Sequence, residues 1–129
     1  MPSKTLPRPT DGELEILNVL WQRGPSTVRE VHEVLLENKD IGYTTILKLM
    51  QIMSEKGLVR RDERDRRHVY EAERAQDETQ RQLLSDLLDR AFNGSPTKLV
   101  MQALSSKKAS REELAEIRHM LDELERGKK

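Results

Sequence analysis

The stretch "GYTTILKLMQIMSEKGLVRRDERDRRHVYEA", residues 42–72, changes period halfway. In its first half Ile46, Leu49, Met50 and Met53 stand at i, i+3, i+4 and i+7, which puts all four on one face of an α-helix. The same spacing leaves Thr44, Thr45, Lys48, Gln51 and Glu55 on the opposite face. Gly57 sits where a left-handed glycine ends a helix, and "LVRRDERDRRHVYEA" then reads as two short strands, residues 58–61 and 68–71, around a polar turn. The chain has joined a helix with a polar outer face to a hairpin rich in arginine.

Upstream lie two more helices. Thr10 and Glu13 are spaced as a capping box ahead of Leu14, Leu17, Val19, Leu20 and Trp21, and Gly24-Pro25 closes that segment. Thr27 and Glu30 repeat the box ahead of Val28, Val31, Val34 and Leu35, with an end expected near residues 38–40. The order is helix, helix, helix, hairpin.

Downstream, residues 76–92 carry Leu83, Leu84, Leu87, Leu88, Ala91 and Phe92 in adjacent pairs every four residues, up to a stop at Asn93-Gly94. Ser95-Pro96 restarts the chain as cap and first helical residue, and Leu99, Val100, Ala103 and Leu104 form a short apolar helix. Ser110 and Glu113 make a third capping box, ahead of Leu114, Ile117, Leu121 and Leu124 at spacings of three and four, a narrow seam suited to another helix.

Composition limits what such a chain can do. With 129 residues, 35% of them hydrophobic against 36% charged, its core is thin and mainly aliphatic, so completion of that core by a second copy is expected. There is no cysteine, which excludes disulfides and thiol catalysis. No apolar run is long enough for a membrane span, and a cytoplasmic location is the expectation. His32, His68 and His119 are scattered with no nucleophile pattern around them, so no enzyme activity, catalytic residue or cofactor is expected. Glu116, His119 and Glu123 share a helical face, but two carboxylates and an imidazole beside a leucine seam read as a solvated surface, not a metal site.

Net charge is zero, yet its distribution is uneven: between Lys56 and Arg67 six basic residues face three acidic ones. Thr44, Thr45, Lys48 and Gln51 can donate and accept at base edges and phosphates, while Arg61, Arg64, Arg66 and Arg67 can hold the flanking backbone. A mainly α protein with a small β-hairpin wing follows: a winged helix-turn-helix DNA-binding domain at residues 1–73 and a helical dimerisation domain at residues 74–129. The dimerisation candidates are Leu83, Leu84, Leu87, Leu88, Phe92, Leu99, Val100, Leu114, Ile117 and Leu121. Two other readings remain open, a winged-helix module that docks protein and a regulator released by a small ligand.

"TDGELEILNVLW", "GPSTVREVHEVL", "GYTTILKLMQIMSEKGLVRR", "HVYEA", "LVMQAL" and "SREELAEIRHML" together resemble the BlaI/MecI penicillinase-repressor family of winged-helix regulators, over nearly the whole chain. The resemblance implies a homodimeric bacterial repressor on a dyad operator of double-stranded DNA, released when a sensor protease cuts it. It places Tyr43, Thr44, Thr45 and Lys48 on the recognition helix and Arg66 and Arg67 in the wing. Ile52 stands where relatives often have a basic residue. Gln102-Ala103, the candidate cleavage position, stands where lactam-responsive members have Asn-Phe. The cysteine motif of copper-responsive relatives has no counterpart in this chain.

Overall fold

Thr10 and Thr27 begin their helices in the same way. In the computed structural model, which describes residues 8–64 and 66–127, α1 (Asp11–Arg23) starts with Thr10 Oγ1 accepting the Glu13 N–H at 3.2 Å and the Glu13 carboxylate accepting the Thr10 N–H at 2.9 Å. Thr27 and Glu30 reproduce the arrangement at 3.1 and 2.9 Å to open α2 (Val28–Leu36). Each box satisfies two N-terminal amide groups that the helix cannot pair internally. Helix α2 stops at Leu36, short of the residues 38–40 that its sequence suggested. The chain then turns, with the Asn38 and Lys39 N–H groups both donating to the Leu35 carbonyl.

Helix α3 (Tyr43–Lys56) ends at Gly57, whose φ of 83° lies in the left-handed region open to glycine. There the Gly57 N–H donates to Ser54 O and the Leu58 N–H to Met53 O, at 3.2 and 2.9 Å. Because Leu58 is engaged in closing the helix, β1 (Val59–Asp62) starts one residue later than the alternation suggested. His68, at φ 57°, belongs to the turn, so β2 (Val69–Ala72) is shifted in the same way. The strands pair antiparallel with Val59 opposite Ala72 and Arg61 opposite Tyr70.

The three helices and the hairpin share one core: Ile16, Leu17, Leu20, Val31, Ile46, Met50, Met53, Leu58, Val59 and Tyr70 are all buried. Ile16, outside the stripe read from the sequence, is fully inaccessible, whereas Leu14 is half-buried. Ser26 is also fully buried and joins the helices to the hairpin through its backbone. Its N–H donates to Tyr70 O at 2.9 Å, and the Tyr70 N–H donates back to Ser26 O at 2.8 Å. The Ser26 hydroxyl in turn donates to Gly24 O and accepts from Arg23 Nε. Trp21 Nε1 donates to Arg74 O at 3.0 Å, which fixes the segment leaving the hairpin.

Among the described residues one charged group, Glu13, lies inside this unit. Glu13 is 2% exposed, and its two carboxylate oxygens accept from Lys56 Nζ at 2.9 and 2.8 Å. Burial by itself would raise the Glu13 carboxyl, but the hydrogen bonds from Lys56 and the Thr10 N–H, with the Lys56 charge, outweigh it and hold the group below 4.5.

Helices α4 (Gln76–Ala91), α5 (Pro96–Ser106) and α6 (Arg111–Gly127) follow. The chain divides into two compact units between Leu84 and Ser85, inside α4. In the second unit, Asn93 and Gly94 turn the chain at φ 50° and 75°. Ser95 Oγ caps α5 through the Lys98 N–H, and Ser110 and Glu113 form the third capping box at 3.0 and 2.9 Å. No described residue from Ser85 onward is buried in the single chain.

Lys56→Ala leaves the Glu13 carboxylate buried without its cation and is expected to destabilise the N-terminal unit by on the order of 2 kcal/mol at neutral pH. Because the folded-state value of Glu13 is lowered, its contribution is complete above about pH 4.5 and is lost as pH falls through that lowered value. Urea unfolding of both proteins should therefore show a gap at pH 7 that narrows towards pH 3. A gap independent of pH would contradict the ion-pair assignment.

Candidate nucleic-acid interface

The outer face of α3 is open along its length. Thr44, Thr45, Lys48, Gln51 and Glu55 are exposed, as the helical period required, because Ile46, Met50 and Met53 anchor the opposite face in the core. Ile52 is exposed among them at 37%. Tyr43, in the first turn, is 40% exposed and does not stand alone: the Arg29 guanidinium lies 5.8 Å from its ring centre, and the His32 ring meets it edge-on at 5.8 Å. His32 Nε2 is also 2.8 Å from Ile41 O, so one imidazole joins α2 to the residues that lead into α3.

The hairpin brings its arginines to different places. Val59 and Arg61 occupy one side of β1, opposite Ala72 and Tyr70, and Arg61 and Tyr70 both line the side of the hairpin that meets α3. Arg61 Nη2 pairs with Glu63 at 3.0 Å, which together with Tyr70 raises its pKa. Arg60, on the other side, bridges Glu71 at 3.2 Å and Glu73 at 3.0 Å. Arg64 pairs with Asp62 at 3.2 Å through Nε, while its own N–H donates to the same carboxylate at 3.0 Å. Arg66 and Arg67 are exposed in the turn. The arginine cluster thus carries its own counter-charges, which the residue count alone did not reveal. The pairs lie in water, where such contacts are weak and readily exchanged for a stronger anion.

Between α2, α3 and the hairpin runs a cleft of about 570 Å³. Arg29, Glu30 and Glu33 of α2 line it, with Tyr43, Leu47 and Gln51 of α3 and Arg61, Arg67 and Tyr70 of the hairpin. Four residues named from the sequence therefore meet in one place, Tyr43, Gln51, Arg61 and Arg67. Thr44, Thr45 and Lys48 lie on the adjoining helix face. The Arg67 charge helps hold the Glu30 carboxyl below its ordinary range, after the Thr27 N–H bond and Arg23. Arg29 and His32 escaped the sequence reading, since nothing in the linear pattern ties α2 to a tyrosine more than ten positions away.

The apolar residues named for dimerisation fall outside the N-terminal core. Leu83, Leu88, Phe92, Leu99 and Ile117 are half-buried in the single chain, while Leu84, Leu87, Val100, Leu114 and Leu121 are exposed, Leu121 at 56%. Met101, Leu104, Met120 and Leu124 extend the exposed apolar surface. Gln102 and Ala103 are exposed within α5, and the Ser106 hydroxyl donates to the Gln102 carbonyl at 2.7 Å. His119 approaches Glu123 at 3.6 Å, and no group of three candidate metal ligands occurs among the described residues. No helix among those residues is long and apolar enough to cross a membrane.

Comparison with known proteins gives a consistent picture. The family model described as penicillinase repressor matches residues 9–123. A transcriptional regulator BlaI from Mycobacterium tuberculosis (strain H37Rv) is 32% identical over 123 residues, covering 95% of this chain and 88% of that protein. A penicillinase repressor from Bacillus licheniformis is 25% identical over 126 residues, 98% of each chain. The matched span takes in both compact units, and the chain belongs to the penicillinase repressor family.

Proposed function

We propose that the chain is a transcriptional repressor that binds duplex operator DNA as a homodimer, with α3 in the major groove and the hairpin on the flanking backbone. The observation that carries this reading is the open polar face of α3, held in the core by Ile46, Met50 and Met53 and adjoined by Arg61 and Arg67 across the cleft. A helix fits a major groove about 12 Å wide, and hydroxyl, amine and amide groups match the donors and acceptors displayed there. Family membership supports the same reading, which is that of a regulator and not an enzyme. The second unit supplies the reason for a dimer. Leu87, Val100, Met101, Leu104, Leu114, Met120, Leu121 and Leu124 lie exposed along α4, α5 and α6, and covering such a surface with a second copy stabilises both by roughly 25 cal/mol per Å² of apolar area removed from water. Two copies place two reading helices on half-sites one helical turn, about 34 Å, apart.

A second reading, a docking module for protein, draws on the zero net charge and on the pairing of Arg60, Arg61 and Arg64 with carboxylates of their own hairpin. Salt dependence separates the two. Arg66→Ala with Arg67→Ala is expected to weaken binding to every sequence alike and to flatten the slope of log K against log salt by about 0.9 for each lost phosphate contact. Thr45→Ala or Lys48→Ala should instead lower the preference for operator over random duplex. An unchanged slope in the double variant takes the hairpin out of a DNA interface and favours docking to protein.

Leu87→Asp or Leu121→Asp should dissociate the dimer and abolish most operator binding while circular dichroism shows the N-terminal unit still folded, because an unpaired carboxylate buried in an apolar seam costs several kcal/mol. A variant still dimeric by light scattering would show that its residue lies outside the seam.

Release by a sensor protease would act at a distance, by separating the reading helices rather than by altering them. At Gln102-Ala103 a pocket shaped for the Phe of an Asn-Phe site meets only a methyl group, which forfeits roughly 3 kcal/mol of apolar contact, more than a hundredfold in rate. The bond is therefore expected to survive in cells treated with a cell-wall antibiotic. N-terminal sequencing of a fragment beginning at Ala103 would contradict this.

A further inference from the structure

On the outer face of α3 every exposed side chain but one can form a hydrogen bond. Thr44, Thr45, Lys48, Gln51 and Glu55 are polar; Ile52 is aliphatic and 37% exposed. A single exposed aliphatic residue is ordinary on a general protein surface. Its position here is not general. At about 100° per residue, Ile52 falls between Lys48 and Thr45 around the helix, four positions beyond the first and seven beyond the second, on the Thr45 side of the open face. Seven residues advance about 10.5 Å along the axis, close to three base-pair steps.

We infer that Ile52 reads a thymine in each half-site by packing against its C5 methyl group. This rests on the reading of α3 as the groove helix and adds the residue that would set one base of its specificity. Of the groups that a base pair displays in the major groove, the thymine methyl is the apolar one, and the others are hydrogen-bond donors and acceptors. Ile52 can satisfy none of those, so any other pair beneath it loses water without gaining a partner. Its β-branch leaves few rotamers, so little freedom is lost when it packs. Lys48, one turn earlier on the same row, offers its ammonium to phosphate or to a guanine edge, which fixes the register that Ile52 needs.

The test uses the full chain and a duplex recovered by selection from a random-sequence library. Each thymine of that duplex is replaced in turn by deoxyuridine, which removes only the methyl group. At one symmetry-related pair of positions, replacement in one half-site should weaken binding about fourfold and in both half-sites about fifteenfold, the change expected for one buried methyl at each. Ile52→Ala should weaken binding to the thymine duplex and bring the thymine-to-uracil ratio at that pair close to one, with all other positions unaffected. A ratio unchanged in Ile52→Ala, or no uracil-sensitive position in a duplex that the protein binds, overturns the inference and leaves DNA binding intact. Failure of selection to recover any bound duplex would overturn both the inference and the function it rests on.

Discussion

The reciprocal main-chain pair between Ser26 and Tyr70 is the joint on which the N-terminal unit depends. A two-stranded hairpin is marginal in water by itself. Here its second strand gains a second partner from the turn between α1 and α2, and Tyr70 drives its ring into the same core as Ile16, Val31, Ile46 and Met50. The consequence is that α3 and the hairpin are tied into one core and meet at one surface. Helix α3 is held from below by its apolar face, and the hairpin is held beside it by Ser26, so the spacing of Lys48 and Gln51 from Arg61 and Arg67 follows from the core rather than from a flexible linker. Glu13 and Lys56 add a charged tie between the start of α1 and the end of α3, next to the glycine that turns the chain into β1.

Local features of this architecture were legible in the sequence because they rest on short-range chemistry. The capping boxes at Thr10, Thr27 and Ser110, the helix stop at Gly57 and the Ser95-Pro96 start each depend on residues a few positions apart. The polar face of α3 was legible for the same reason. What escaped was long-range. Ser26 gives no sign in the sequence that it pairs with a strand more than forty residues away. Glu13 reads as a capping residue, and only its burial against Lys56 reveals the second role. The strands moved by one residue because Leu58 and His68 were already committed, to the closure of α3 and to the turn. In the candidate site the arginines were visible as a cluster, but the carboxylates that hold Arg60, Arg61 and Arg64 became evident only from the register of the hairpin.

The two halves of the chain solve different problems. The N-terminal unit buries most of its large aliphatic residues within one copy, whereas from Ser85 on the chain forms well-capped helices and none of the described residues is buried. Capping specifies where such helices start, but it does little to stabilise them without tertiary packing. On the proposed function a second copy supplies that packing, and the same event pairs two weak reading surfaces into one site of useful affinity. Regulation can then act on either unit: loss of the apolar seam would release DNA without altering a residue that touches it.

On the proposed function α3 lies in the major groove of two successive half-sites, and dimethyl sulfate protection reports that geometry directly, because the reagent attacks guanine N7 from the major groove. With the protein bound to a selected duplex, protected guanines should fall in two symmetric clusters centred about one helical turn apart on the same face of the DNA. Uniform reactivity across a duplex shown to be bound, or protection confined to one cluster, would contradict the paired-helix arrangement.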